Sequence, residues 1–209
     1  MRLIYLIAFL LLPQYLLAQF KSFEPGSYTP ANSRAVRLQG QLKLRNGELL
    51  IVKGADGKKL QLTPYDVSSF QIGEKHYTTA SGFEVGSGLM SDFVGKAFVQ
   101  IIDSGQVMLL RYEYTTANGP HVGAGGVMTG GGTNTQELYL LRWTNDYKVY
   151  PISANWLSGG GQKFRQAILP HLSKRPDLAK LVEEKKITLS ELPNLVRAIN
   201  TGQPYSAAY

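Results

Sequence analysis

AFVQIIDSGQVMLLRYEY, residues 97–114, is the stretch whose reading decides the fold. Two apolar runs flank Ser104-Gly105, and a glycine in a two-residue connection suits a tight hairpin because it accepts the positive φ that such turns impose. Met108, Leu110, Tyr112 and Tyr114 then point one way, and Val107, Leu109, Arg111 and Glu113 the other. The second strand is thus apolar on both faces at its start and amphipathic at its end, which places it inside a sheet and not at an edge. The stretch speaks to architecture and carries no chemical signature.

Working outward, the N-terminus has a signature of its own. Arg2 precedes ten apolar residues, LIYLIAFLLL, and then QYLLAQ, with a cut expected after Ala18. That layout predicts a signal peptide over 1–18. Ten apolar residues closed by Pro13 fall short of the roughly 20 that span a bilayer, so no membrane span is expected in the mature chain. The chain has no Cys, which removes disulfides and lipid-bearing cysteines and leaves a packed core as the source of stability. A disulfide-free exported domain of this size points to a Gram-negative envelope, periplasmic or extracellular. The net charge of +7 then favours anionic glycan or another envelope surface over nucleic acid, which export puts out of reach.

Residues 19–34, rich in Pro, Gly, Ser and Asn, read as an irregular lead-in. From Val36 to Arg45 apolar and polar residues alternate, Asn46-Gly47 supplies the strongest short hairpin signal, and ELLIVK returns as the partner strand. Lys58 to Leu62 makes a further strand, and Thr63-Pro64-Tyr65-Asp66 breaks the meander because Pro64 cannot donate to a ladder. Val67–Ile72 and Lys75–Thr79 form a hairpin about Gly73-Glu74, Ala80–Met90 reads as a loop, and Thr115–Thr135 as a long glycine-rich connection. Gln136–Trp143 and Tyr147–Ile152 close the β-region.

Beyond Gly159-Gly160-Gly161 the period shifts toward 3.6. Phe164, Ile168 and Leu172 define one helix, shortened by Pro170, and Pro176 opens a second with Leu178, Leu181 and Val182 inward. Thr188 and Glu191 have capping-box spacing ahead of a third stripe, Leu189 to Ile199, although Pro193 requires a later start or a distorted first turn. Gly202 ends it. Three short helices cannot bury these stripes among themselves, so they are expected to cover the sheet. The expected fold is mainly β (α+β): an antiparallel meander forming a curved sheet, small sandwich or partial barrel over 35–155, with a helical tail over 160–202.

The motifs of catalysis mostly fail. Within the 118–132 glycine stretch a phosphate-binding G-x-x-x-x-G-K would need Lys where Gly131 stands, and a dinucleotide G-x-G-x-x-G would need Gly at Met128. His76, His121 and His171 have no second ligand at metal spacing, and no Ser sits in a G-x-S-x-G elbow. No cofactor, metal or catalytic residue is assigned. Carboxylate pairs such as Asp66 with Asp92 or Glu113 with Glu137 could meet only in the fold. Aromatic residues crowd the last strands; core and cross-strand packing accounts for most of them, and Trp156, Trp143 and Tyr150 are the ones singled out for ligand binding.

LRNGELLIV, LTPYDVSSFQIGEKHY, FVQIIDSGQVMLLRYEY, and PDLAKLV through LPNLVRAIN together resemble a group of uncharacterised exported proteins of Bacteroidetes-type Gram-negative bacteria. The resemblance implies a signal peptide, N-G-linked strands and a helical tail, and lends no catalytic residues. The glycine stretch after Tyr114 departs from the compact connection usual in that group. The functional expectation is a non-catalytic envelope module that binds a partner protein or surface glycan. The alternative is a hydrolase whose carboxylates converge in the fold. The sequence assigns no oligomeric state.

Overall fold

The computed structural model describes residues 22–33, 35–86, 92–117, 121–122, 128–129, 133–144, 146, 148–152 and 161–207. The expected signal peptide, Trp156 and most of the glycine stretch lie outside them.

The chain forms one open, curved, antiparallel sheet of ten strands. In chain order these are β1 (Glu24–Pro30), β2 (Leu38–Arg45), β3 (Leu49–Lys53), β4 (Lys59–Leu62), β5 (Val67–Ile72), β6 (Lys75–Val85), β7 (Asp92–Asp103) and β8 (Val107–Ala117). A separate small ladder joins β9 (His121–Val122) to β10 (Met128–Thr129), and β11 (Thr133–Trp143) and β12 (Val149–Ile152) complete the sheet. The spatial order is β12-β11-β8-β7-β6-β5-β1-β2-β3-β4.

Within the sheet, chain order breaks where β5 lies beside β1 and not beside β4, so the two halves are joined through β1. The stretch read as an irregular lead-in contains this strand, which pairs with β2 on one side and β5 on the other. Its composition hides it: Pro25 and Pro30 lie near its two ends, and Gly26 is needed because a Cβ there would overlap the Gln71 carbonyl and stand 2.7 Å from Leu42. Flanking strands, not local propensity, hold it in place. Two loop expectations are also corrected. β6 runs on through Gly82, whose φ of +73° lets the strand kink without ending, and β8 and β11 stay paired out to Ala117–Thr133.

β8 is buried on both faces, as its pattern requires. Val107 and Leu109 join the cluster under the helices, while Leu110 and Tyr112 join a second cluster with Ala80, Phe83 and Leu140. β7 is shared in the same way: Ala97 and Val99 face the second cluster, and Phe98 faces a third built on Leu42, Leu50 and Phe70. The curl also brings β12 against β6.

Helices α1 (Gln162–Ile168), α2 (Pro176–Glu183) and α3 (Leu192–Thr201) cover the outer face of β8 and β11. Pro170 stops α1 and turns the chain through a short 3-10 segment, Leu169–His171. Glu191 accepts from the Thr188 N–H (2.9 Å) as in a capping box, but α3 begins only at Leu192. Pro193, which has no N–H to place inside a helix, sits in its first turn, where no donor is needed.

Candidate binding cleft

The Asn46-Gly47 turn does more than reverse the chain. Both residues have positive φ (52° and 67°), as the dipeptide predicts. The tip lands where β7 and β8 part: their ladder runs from Asp103–Leu109 to Gln100–Arg111, and beyond it the Phe98 N–H donates to the Gly47 carbonyl at 2.7 Å. A Cβ on Gly47 would lie 3.2 Å from the Glu113 carbonyl, 3.3 Å from that of Phe98 and 2.7 Å from the Tyr112 ring. The split is therefore one backbone wide at its base, and the hairpin tip plugs it.

Beyond the plug the two strands frame an open cleft of about 620 Å³. Tyr65 and Phe93 line it and are 68% and 71% exposed, unusual for large apolar rings. Tyr65 sits on the turn Thr63-Pro64-Tyr65-Asp66, closed by the Asp66 N–H donating to the Thr63 carbonyl at 3.0 Å. Asp66 accepts from both the Thr63 N–H (2.8 Å) and hydroxyl (2.6 Å), which holds its carboxyl below the usual range. The Lys96 ammonium sits 5.0 Å from the Tyr65 ring centroid, a cation–π distance. Tyr112 and Tyr114 stack at 5.8 Å on the β8 wall, and burial pushes the Tyr112 phenol up. Asn46, Glu48 and Asp92 add polar groups to the rim. Exposed rings beside hydrogen-bonding groups suit a sugar ring or an extended peptide.

The structure separates one carboxylate pair and joins the other. Asp66 and Asp92 line different clefts. Glu113 and Glu137 are direct cross-strand partners, and both meet Arg111, at 3.8 Å and 3.3 Å. Arg111 also donates to Gln100 at 2.7 Å. A neighbouring cleft of about 350 Å³ contains both glutamates with Glu24, Lys43, Lys75 and Tyr77. Among the described residues no three His, Asp or Glu side chains form a metal-binding group.

Of the aromatic residues chosen from sequence, Trp143 and Tyr150 lie outside the Tyr65–Phe93 cleft, and Trp156 is outside the described residues. Trp143 is 4% exposed, stacked on His171 with ring centroids 3.8 Å apart, and belongs to the core under the helices. Tyr150 donates to Asp146 at 3.0 Å. Tyr65 and Phe93 were not singled out. Tyr65 carried a signal in the turn chemistry of T-P-Y-D, which exposes its third residue; Phe93 carried none, since at period two it shares a face with Ala97 and Val99 and reads as inward. Compared with protein-family models, curated proteins and solved structures, the chain finds no match.

Proposed function

We propose that the protein is an exported, non-catalytic envelope module that holds a partner protein or surface glycan in the cleft between β7 and β8. The observation that carries this reading is the pair of exposed rings, Tyr65 and Phe93, on one cleft. Both strand walls are fixed by sheet pairing and the floor by the Gly47 plug, so the cleft is pre-organised and binding orders little chain. The N-terminal apolar stretch supports export, and the positive net charge supports an anionic envelope surface.

The test is to screen the full-length chain against a glycan array and a displayed peptide library, then repeat each hit with Tyr65→Ala and Phe93→Ala. Each substitution should weaken binding roughly tenfold, in the range of one stacked ring, with unchanged melting temperature. Hits that bind both variants as tightly as wild type would overturn the reading.

One observation favours the hydrolase alternative, the facing of Glu113 and Glu137. Against it, both carboxylates lie against the Arg111 guanidinium, at 3.8 Å and 3.3 Å, and neither is set in the apolar pocket that a glycosidase gives its general acid.

A further inference from the structure

We infer that the cleft beside Arg142 binds an oxyanion, a carboxylate or phosphate carried by a small polar ligand. This site is separate from the Tyr65–Phe93 cleft and rests on different residues.

Arg142 lies on β11 between Leu141 and Trp143, which face the helices, so its own side chain points to the concave side of the sheet. There it is half-buried, and its two contacts are poor ones: the Thr79 carbonyl at 3.3 Å and the Met108 sulfur at 3.1 Å. Arg111, Arg175 and Arg197 each have a carboxylate within ion-pair reach; among the described residues Arg142 has none. A guanidinium carries five N–H donors in a planar fork and is costly to desolvate unpaired. Burial accordingly draws its pKa down, with no anion to offset it.

The surroundings suit an incoming anion. Arg142 lines a cleft of about 550 Å³ together with Thr79, Ser81, Ser104, Met108 and Thr144. Ser81 and Ser104 are exposed, and their hydroxyls are available as donors. Asp146, on the same wall, keeps its negative charge, but its oxygens are turned to the Lys148 N–H at 2.8 Å and the Tyr150 hydroxyl at 3.0 Å and make no ion pair with Arg142. A bidentate oxyanion would fill the open side of the guanidinium, and the serine hydroxyls would hold the polar remainder of the ligand. The volume falls in the range of small-ligand sites.

The test is an NMR titration of the isotope-labelled full-length chain with glucuronate, a glucose phosphate ester and glucose. At least one charged sugar should shift the Arg142 Nε–H signal and the Thr79 and Ser81 amides, and glucose should not. Whichever charged sugar shifts them at lower concentration identifies the anion as carboxylate or phosphate. Arg142→Gln should weaken that response tenfold or more, the range of charge-assisted hydrogen bonds. Arg142 also ties β11 to β6, so Ser104→Glu serves as the second variant: it offers a tethered carboxylate from an exposed turn and should suppress the response with Arg142 intact. Arg142 signals unmoved by both charged sugars, or moved equally by glucose, would overturn the inference. So would undiminished binding in a folded Arg142→Gln or in Ser104→Glu.

Discussion

The side-chain amide of Asn200, on the last helix, pairs with both backbone groups of Val107 as a neighbouring strand would: Oδ1 accepts from the N–H at 2.9 Å and Nδ2 donates to the carbonyl at 2.9 Å. Nδ2 also donates to Asp103 at 2.8 Å, so one side chain clamps both ends of the β7–β8 connection to α3. Asn200→Ala should leave part-buried backbone groups unpaired and cost about 2–3 kcal/mol. Urea denaturation followed by tryptophan fluorescence measures this. An unchanged midpoint would mean that the helices sit on the sheet through apolar packing alone.

Gly47 is fixed by two independent constraints, positive φ and the carbonyls on either side. Gly47→Ala should therefore cost more than the left-handed conformation alone, about 2 kcal/mol or above. The comparison is Gly57→Ala, also at positive φ (77°) but with nothing within 4 Å of its Cβ position. If the two variants melt alike, the tip does not plug the split between β7 and β8.

Tyr77 stacks on Phe70 at 4.6 Å, and its phenol is pushed up to about 12, first by burial and then by the charge of Glu113. A phenol whose folded value is raised favours the folded state below its ordinary value near 10, and that contribution disappears as pH rises toward 12. Stability should thus decline between about pH 10 and 12, and Tyr77→Phe should make the decline shallower. Tyr112, also raised, keeps part of it in place. Denaturation midpoints across that range check the slope; identical slopes in the two proteins would contradict the assignment.

The β8–β11 ladder runs unbroken from Val107–Trp143 to Ala117–Thr133, so the two strand ends that the glycine stretch connects are already neighbours. Replacing 118–132 with a two-residue Asn-Gly turn should leave the melting temperature within a few degrees of wild type, because closing a shorter loop costs less entropy. A large fall in melting temperature would show that this stretch contributes to the core.

Much of this architecture was legible in the residues themselves. Strict alternation marked β2, a double-sided apolar run marked β8 as an interior strand, and Asn46-Gly47 marked a hairpin with two positive φ values. Pro170 and Pro193 foretold where α1 would stop and α3 would start late. These features follow from local stereochemistry and side-chain periodicity, which depend on near neighbours in the chain.

What depended on distant neighbours stayed hidden. Gly105 reads as a turn glycine chosen for its φ, yet it is not among the positive-φ glycines; it is glycine because a Cβ would stand 2.6 Å from Asn200. Likewise β1 is a strand because two others flank it, Trp143 is core because helices cover it, and Arg142 meets the Thr79 carbonyl, with no carboxylate among the described residues, only once the sheet has formed. The sequence by itself determined most of the strands, turns and helices, β1 and the far ends of β6, β8 and β11 excepted, since those choices turn on sterics within a few residues. Only the tertiary structure decided which side chains share a cleft and which charges lack a counter-ion, since those are distances between residues tens of positions apart, set by how the sheet bends.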